Sequence, residues 1–339
     1  MKSLSDRNFG NKKENVGNFK WINSKELLNR PLVATRKAYG EAIAEMGGKF
    51  SDIIVLEADI SKSTYSCLFA EKYPKRFINV GVAEQNEMMV AAGIATTGKV
   101  PFVSTYSVFA SMRACEQVRT FICYPRLNVK IAVSHGGVTP GTDGPTHQAT
   151  EDMGIMRTLP NITILMPADY YSTKKLLESA YFHKGPVYIR LTRDQVPMIY
   201  SEDEDFQIGK AKILKEGSDI LIIAIGDLLN QAIIACEMLE DEDISAALID
   251  CHTLKPLDGK TILKMAKNCK AVITVEDHQI QNGLGSAVCE LLSEYYPIVV
   301  KRIGLKDTFA RSGEYSELLK LYEMDKNSIY KEAVGLLKC

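Results

Sequence analysis

The chain lacks long hydrophobic runs, closely spaced cysteine pairs and a surplus of either charge. No apolar stretch approaches the roughly 18 residues that a bilayer-crossing helix needs. Residues 1–18 are polar and hold no hydrophobic segment of a secretory signal. The cytoplasm is therefore the expected compartment, with no membrane partner. Basic residues number 41 and acidic residues 42, for a net charge of -1. No Lys/Arg block is interleaved with aromatics, so nucleic acid is not an evident partner either. The eight cysteines form no Cys-x-x-Cys pair and fall mostly within apolar segments. That pattern fits buried reduced thiols better than a disulfide or zinc framework.

At 339 residues and 46% hydrophobic content, the chain can bury a core in each of two or three domains. Residues 1–30, rich in Asn, Lys and Ser, read as a mobile or partner-bound tail. Helical and strand-like periods then alternate. Helices are predicted over 36–46, 84–95, 109–123 and 172–181. Strands are predicted over 53–56, 77–82, 101–104, 129–133, 162–166 and 187–191. Short apolar strands separated by amphipathic helices imply a mostly parallel sheet covered on both faces. The acidic stretch Ser201-Glu202-Asp203-Glu204-Asp205 interrupts this pattern and reads as a linker over 197–211, or less readily as an acidic partner site. Strands over 220–225, 245–249, 271–275 and 298–302 then alternate with helices over 230–239, 261–268 and 284–295. The expected fold class is α/β, with two doubly wound domains, a larger one over 31–196 and a smaller one over 212–339.

Candidate chemistry gathers where strands hand over to helices. Glu84 follows the 77–82 strand and opens a helix whose face carries Met88, Met89, Ala92 and Ala95. At the carboxyl edge of a parallel sheet it could serve a ligand, or only the dipole of its own helix. His135, Asp143 and His147 share one loop with Gly136, Gly137, Gly141 and Gly144. Imidazole moves protons near neutral pH, and a carboxylate can orient it; the alternative is a glycine-rich surface loop with incidental histidines. Tyr106 and Phe109 form either core packing or a platform for a flat heterocycle. Arg36, Arg190 and Arg193 fall at element ends, where a guanidinium can grip a phosphate.

Two segments carry a family resemblance. One is Phe77-Ile78-Asn79-Val80-Gly81-Val82-Ala83-Glu84-Gln85-Asn86; the other runs from His135 through Asp143-Gly144-Pro145-Thr146-His147-Gln148. With His252-Thr253-Leu254-Lys255-Pro256-Leu257-Asp258 and Glu276-Asp277-His278, the chain resembles the C-terminal two-thirds of transketolase, its pyrimidine-binding and C-terminal domains. That resemblance implies thiamine diphosphate as cofactor and transfer of a two-carbon ketol unit from a ketose phosphate to an aldose phosphate. Glu84 would hydrogen-bond the pyrimidine N1′, and a carboxyl desolvated among apolar walls can hold the proton needed there. Phe109 would stack on the pyrimidine beside Tyr106. Asp59 resembles an aspartate near the cofactor, and Ser63 a phosphate ligand. Arg36, His135 and Arg193 would grip the sugar phosphate, Asp143 would read the C2 hydroxyl, and His147 would sit near the reacting carbonyl.

Two departures qualify the resemblance. The aromatic segment from Ser104 to Arg113 is a residue shorter than the usual transketolase stretch, and at Tyr106-Ser107 and Phe109 it is similar to deoxyxylulose-phosphate synthase. The family's Gly-Asp-Gly motif with its downstream Asn, which holds Mg²⁺ and the diphosphate, is missing; Gly226-Asp227-Leu228 does not qualify. Diphosphate needs Mg²⁺ or backbone donors to neutralise it. The resemblance thus implies the C-terminal subunit of a split transketolase, with Mg²⁺ held by a separate N-terminal chain and two copies of each in a heterotetramer. The rival expectations are a deoxyxylulose-phosphate synthase-like or 2-oxo acid dehydrogenase beta-type subunit, and a non-catalytic regulatory subunit.

Overall fold

The computed structural model describes residues 19–338; residues 1–18 of the expected 1–30 tail lie outside them. Fourteen strands are present among the described residues: β1 (Leu32–Ala34), β2 (Ile53–Glu57), β3 (Phe77–Asn79), β4 (Val100–Tyr106), β5 (Lys130–Ser134), β6 (Thr163–Leu165), β7 (Val187–Arg190), β8 (Gln195–Pro197), β9 (Lys212–Lys215), β10 (Ile220–Ala224), β11 (Ala246–Asp250), β12 (Thr253–Lys255), β13 (Ala271–Gln279) and β14 (Val300–Leu305). They form a seven-stranded sheet of order β12-β6-β7-β5-β4-β2-β3, a five-stranded sheet of order β14-β13-β10-β11-β9, and a β1-β8 ribbon. Each larger sheet is parallel except for one antiparallel edge strand, β12 in the first and β9 in the second.

Side-chain alternation explains why both sheets are covered on two faces. Successive residues of a strand point to opposite sides, and here they divide between two cores. In β2 and β4, Val55 and Phe102 enter one core while Leu56 and Val103 enter the other. In β10, Ile220 and Ile222 join the first core, and Leu221 and Ile223 the second. Each core draws on both sheets, so the halves of the chain are packed as one body. Each such side chain, buried completely, stabilises the fold by roughly 1.5–3 kcal/mol.

Several local expectations change. Residues 19–30 are packed rather than trailing: Ile22 and Leu27 are buried, helix Ser24–Leu28 is capped by Asn23, and the Ser24 amide donates to Glu237. The 77–82 strand stops at Asn79, because Gly81 takes a left-handed φ of 76°. The helix predicted over 109–123 is instead a chain of wide turns. The Ala114 amide donates to the Phe109 carbonyl at 3.0 Å, five residues back, and Tyr124 to Arg119 likewise. Such wide turns often mark functional sites. Within residues 197–211 the backbone is irregular after Pro197, yet Tyr200 and Phe206 are buried, and the Tyr200 hydroxyl donates to Asp250 at 2.6 Å.

The first sheet gains an edge from the second half of the chain. After β11 the chain leaves the smaller sheet, and β12 pairs with β6, Thr253 opposite Leu165. Nothing in the hydrophobic period of so short a strand announced that crossing.

Candidate active site

The ends of five parallel strands position the site. Asp59 follows β2, Glu84 follows β3, Tyr106 ends β4, His135 follows β5 and Arg193 follows β7. Since β3-β2-β4-β5-β7 are neighbours running the same way, all five lie along one carboxyl edge, where open α/β sheets bind ligands.

The ring-bearing residues meet there. Tyr106 stacks on His135 with ring centroids 3.8 Å apart and on Phe109 at 5.7 Å. His147 approaches both edge-on, at 5.9 Å from Tyr106 and 5.7 Å from Phe109. His135 is fully buried, with a left-handed φ of 67°. Its Nδ1 lies 2.8 Å from Ser134 Oγ. Burial, helped by the positive charges of Arg36 and Arg193, pushes its pKa down to about 2. His135 is therefore neutral at physiological pH.

Beside this ring cluster lie the guanidinium groups. Arg36, at the start of helix Thr35–Lys49, donates through Nη1 to the Ser63 carbonyl at 2.8 Å. Burial lowers its pKa, and its Nε is buried without a partner. Arg193 Nε lies 3.4 Å from Asp143 Oδ2. Ser63 thus bonds Arg36 with its backbone, and the same electrostatic neighbourhood holds Arg36, Arg193, Asp143 and Tyr106. Asp59, exposed, accepts from Asn79 Nδ2 at 2.9 Å with a left-handed φ of 67°. It stands at the β2–β3 end of the edge.

Arg190 is a correction. It is fully buried and unable to meet a phosphate: Nε bonds Asp152 at 3.0 Å, and Nη2 donates to the carbonyls of Ala149 at 2.8 Å and Asp277 at 2.9 Å. As the last residue of a fully covered strand, its side chain reaches inward between the two halves of the molecule. The ion pair and the Ala149 bond lie within the first half, and the bond to the Asp277 carbonyl ties it to the second.

Glu84 opens helix Glu84–Ala95, and its side chain is almost wholly buried. Apolar walls do not surround it completely. Arg113 Nη1 donates to both carboxylate oxygens at 2.8 Å, and the Arg113 Cζ sits over the Phe109 ring, 4.3 Å from its centroid. On the helix itself, Met88, Ala91 and Ala92 are buried while Met89 is partly exposed. Arg113 was absent from the residues singled out by sequence reasoning. The available signal was a cation four positions after Phe109 in an aromatic segment.

Asp277 was missed as well, although its Glu-Asp-His triplet was recognised. Its carboxylate accepts from the Val138 amide at 3.0 Å with each oxygen. Burial, then the nearby Asp227, raise its pKa well above the usual carboxylate range. Gly137 makes this approach feasible: its φ is 62°, and a Cβ there would lie 2.0 Å from Asp277 Oδ2. The Gln148 amide donates to the Arg311 carbonyl at 3.0 Å, so the loop of residues 136–148 is braced from the second half of the chain at both ends.

Comparison with known proteins identifies the family. The sequence pattern of the transketolase pyrimidine-binding domain matches residues 32–198, and that of the transketolase C-terminal domain matches residues 209–329. The chain belongs to the transketolase family. It is 46% identical over 306 residues to the "Putative transketolase C-terminal section" of Methanocaldococcus jannaschii, covering 96% of that protein. It is 40% identical to the transketolase of Rattus norvegicus over 90% of its own length, and spans only 49% of that longer enzyme. Among solved structures, a split gene transketolase described as an inactive beta4 tetramer superposes with a TM-score of 0.84. The two are 45% identical, over 90% of this chain and 99% of the other.

The residues present suit the pyrimidine half of thiamine diphosphate, the cofactor the family implies. A flat cation already stacks on Phe109 and bonds Glu84, which is what a protonated aminopyrimidine requires of its seat. For the diphosphate half, the described residues include no group of three or more His, Cys, Asp or Glu side chains able to hold a metal ion. No helix among them is long and apolar enough to cross a membrane.

Proposed function

We propose that the chain is the C-terminal subunit of a thiamine-diphosphate-dependent transketolase, active with a separate N-terminal subunit that holds Mg²⁺ and the diphosphate. The observation that carries this reading is the Glu84–Phe109 pair, a buried carboxylate and a ring face that together hold a planar cation. The bound cofactor supplies the carbon nucleophile for two-carbon transfer. Glu84 holds the proton at the pyrimidine N1′, and Phe109 fixes the ring plane. Asp59, at the β2–β3 end of the same edge, would face the cofactor, and Tyr106 would complete the aromatic wall.

On the substrate side, Arg36 and Arg193 supply positive charge for the sugar phosphate, with Ser63 and His135 as neutral polar partners. A neutral imidazole can accept or donate a hydrogen bond without competing for the anion. Asp143 and His147 then meet the sugar's hydroxyls near the reacting carbonyl. Asp143, already paired with Arg193, links hydroxyl recognition to phosphate binding. Two copies of each subunit in the cytoplasm would place two sites at subunit interfaces. The inactive form of the related split gene transketolase supports the need for a second chain.

The test is reconstitution. The chain mixed with its N-terminal partner, thiamine diphosphate and Mg²⁺ transfers two carbons from a ketose phosphate to an aldose phosphate, and neither chain does so alone. Turnover of 2-oxo acids with no ketol transfer overturns the reading in favour of a dehydrogenase-type subunit. Pyruvate consumption with glyceraldehyde phosphate does so in favour of a deoxyxylulose-phosphate synthase relative.

A further inference from the structure

Arg113 does more than neutralise Glu84. A wide turn carries it: the Ala114 amide reaches back to the Phe109 carbonyl, and the Arg113 side chain folds back over the Phe109 ring. Its backbone carbonyl is fixed by Gln85 Nε2 at 3.2 Å. The side chain, by contrast, is half open to solvent, 49% exposed against 4% for Glu84. An anchored backbone and an accessible side chain allow the guanidinium to leave without disturbing the fold.

What the guanidinium occupies gives that freedom a consequence. It presents N–H donors to both oxygens of Glu84 and a flat cationic face to Phe109. A pyrimidine protonated at N1′ offers the same N–H and the same kind of face to the same two residues. The ring face under the guanidinium cannot hold both at once, since a contact of 4.3 Å leaves no gap for a second plane, and both oxygens of Glu84 are already bonded by Arg113.

We propose that Arg113 fills the pyrimidine seat of the unliganded chain and swings into solvent when thiamine diphosphate enters, so that it sets the affinity for the cofactor. This rests on the function proposed above. In that seat the guanidinium keeps the Glu84 carboxylate from being buried without a partner. On cofactor entry the pyrimidine replaces it. Binding therefore has to displace a partly exposed ion pair and a cation–π contact, together worth roughly a factor of ten in affinity.

The experiment is a calorimetric titration of thiamine diphosphate, with Mg²⁺ present, into the complex of this chain with its N-terminal partner. Wild type is compared with Arg113→Met and Arg113→Lys. Arg113→Met should bind about tenfold more tightly, and Arg113→Lys should fall between, because lysine keeps the charge and loses the flat, forked geometry. Melting of each complex before titration verifies that the variants are folded, and the lysine variant alone decides the matter if methionine is not tolerated. Cofactor binding by wild type with equal or weaker binding by the folded variants overturns the role of Arg113 and leaves the proposed function standing. Absence of cofactor binding by the wild-type complex overturns both.

Discussion

Asp277 holds the backbone of Val138: the amide donates to both carboxylate oxygens at 3.0 Å across the boundary between the two halves of the chain. The loop that carries His135, Asp143 and His147 is thereby shaped by a residue far along the sequence. Removing the acceptor in Asp277→Ala orphans a buried amide, at a cost of about 1–3 kcal/mol. The expected outcome is a lower urea midpoint together with a higher KM for sugar phosphates in the reconstituted enzyme, while thiamine diphosphate affinity is kept. Gly137→Ala should act in the same direction, because its Cβ would meet the Asp277 carboxyl and its φ is left-handed. Wild-type stability and KM in both variants would remove the brace from the description.

The pH response of His135 has a definite sign. Its pKa falls from 6.5 to about 2, chiefly through burial. A base depressed in this way contributes stability that is present above its ordinary value and lost as pH falls below 6.5. Wild type should lose stability between pH 6.5 and pH 4 more steeply than His135→Gln, measured by urea unfolding at a series of pH values. Equal slopes would mean that this imidazole is not buried neutral.

Asp250 predicts the opposite direction. It is fully buried against the Tyr200 hydroxyl, and burial raises its pKa from 3.8 to about 7. A carboxyl raised in the folded state contributes stability that is complete below about pH 3.8 and is lost as pH climbs through 7. Asp250→Asn cannot ionise, so relative to wild type it should gain stability on going from pH 5 to pH 8. Parallel unfolding curves at the two pH values would contradict that assignment.

How far the sequence could disclose this site depends on the distance over which each feature is written. The strand-to-helix step at Glu84 and the glycine-rich loop from His135 to His147 are local patterns, set by period and turn chemistry. Both were legible. Arg190 looked like an element-end arginine placed to grip a phosphate, and only long-range packing turns it inward onto Asp152, Ala149 and Asp277. Asp277 and β12 are likewise long-range: one braces a loop, and the other crosses to a sheet built from the first half. Arg113 stayed hidden for a different reason. Its contact with Phe109 and Glu84 depends on wide helical turns, which the ordinary helical period does not describe.

Glu84 is the most direct point of test. The rate of two-carbon transfer should be measured for wild type and Glu84→Gln, each reconstituted with the N-terminal subunit, thiamine diphosphate and Mg²⁺. Glutamine fills the same volume and cannot hold the proton at the pyrimidine N1′, so the rate should fall by about 10²–10⁴-fold. An unchanged rate would contradict a catalytic role for this carboxylate, and with it the placing of the active site on this chain.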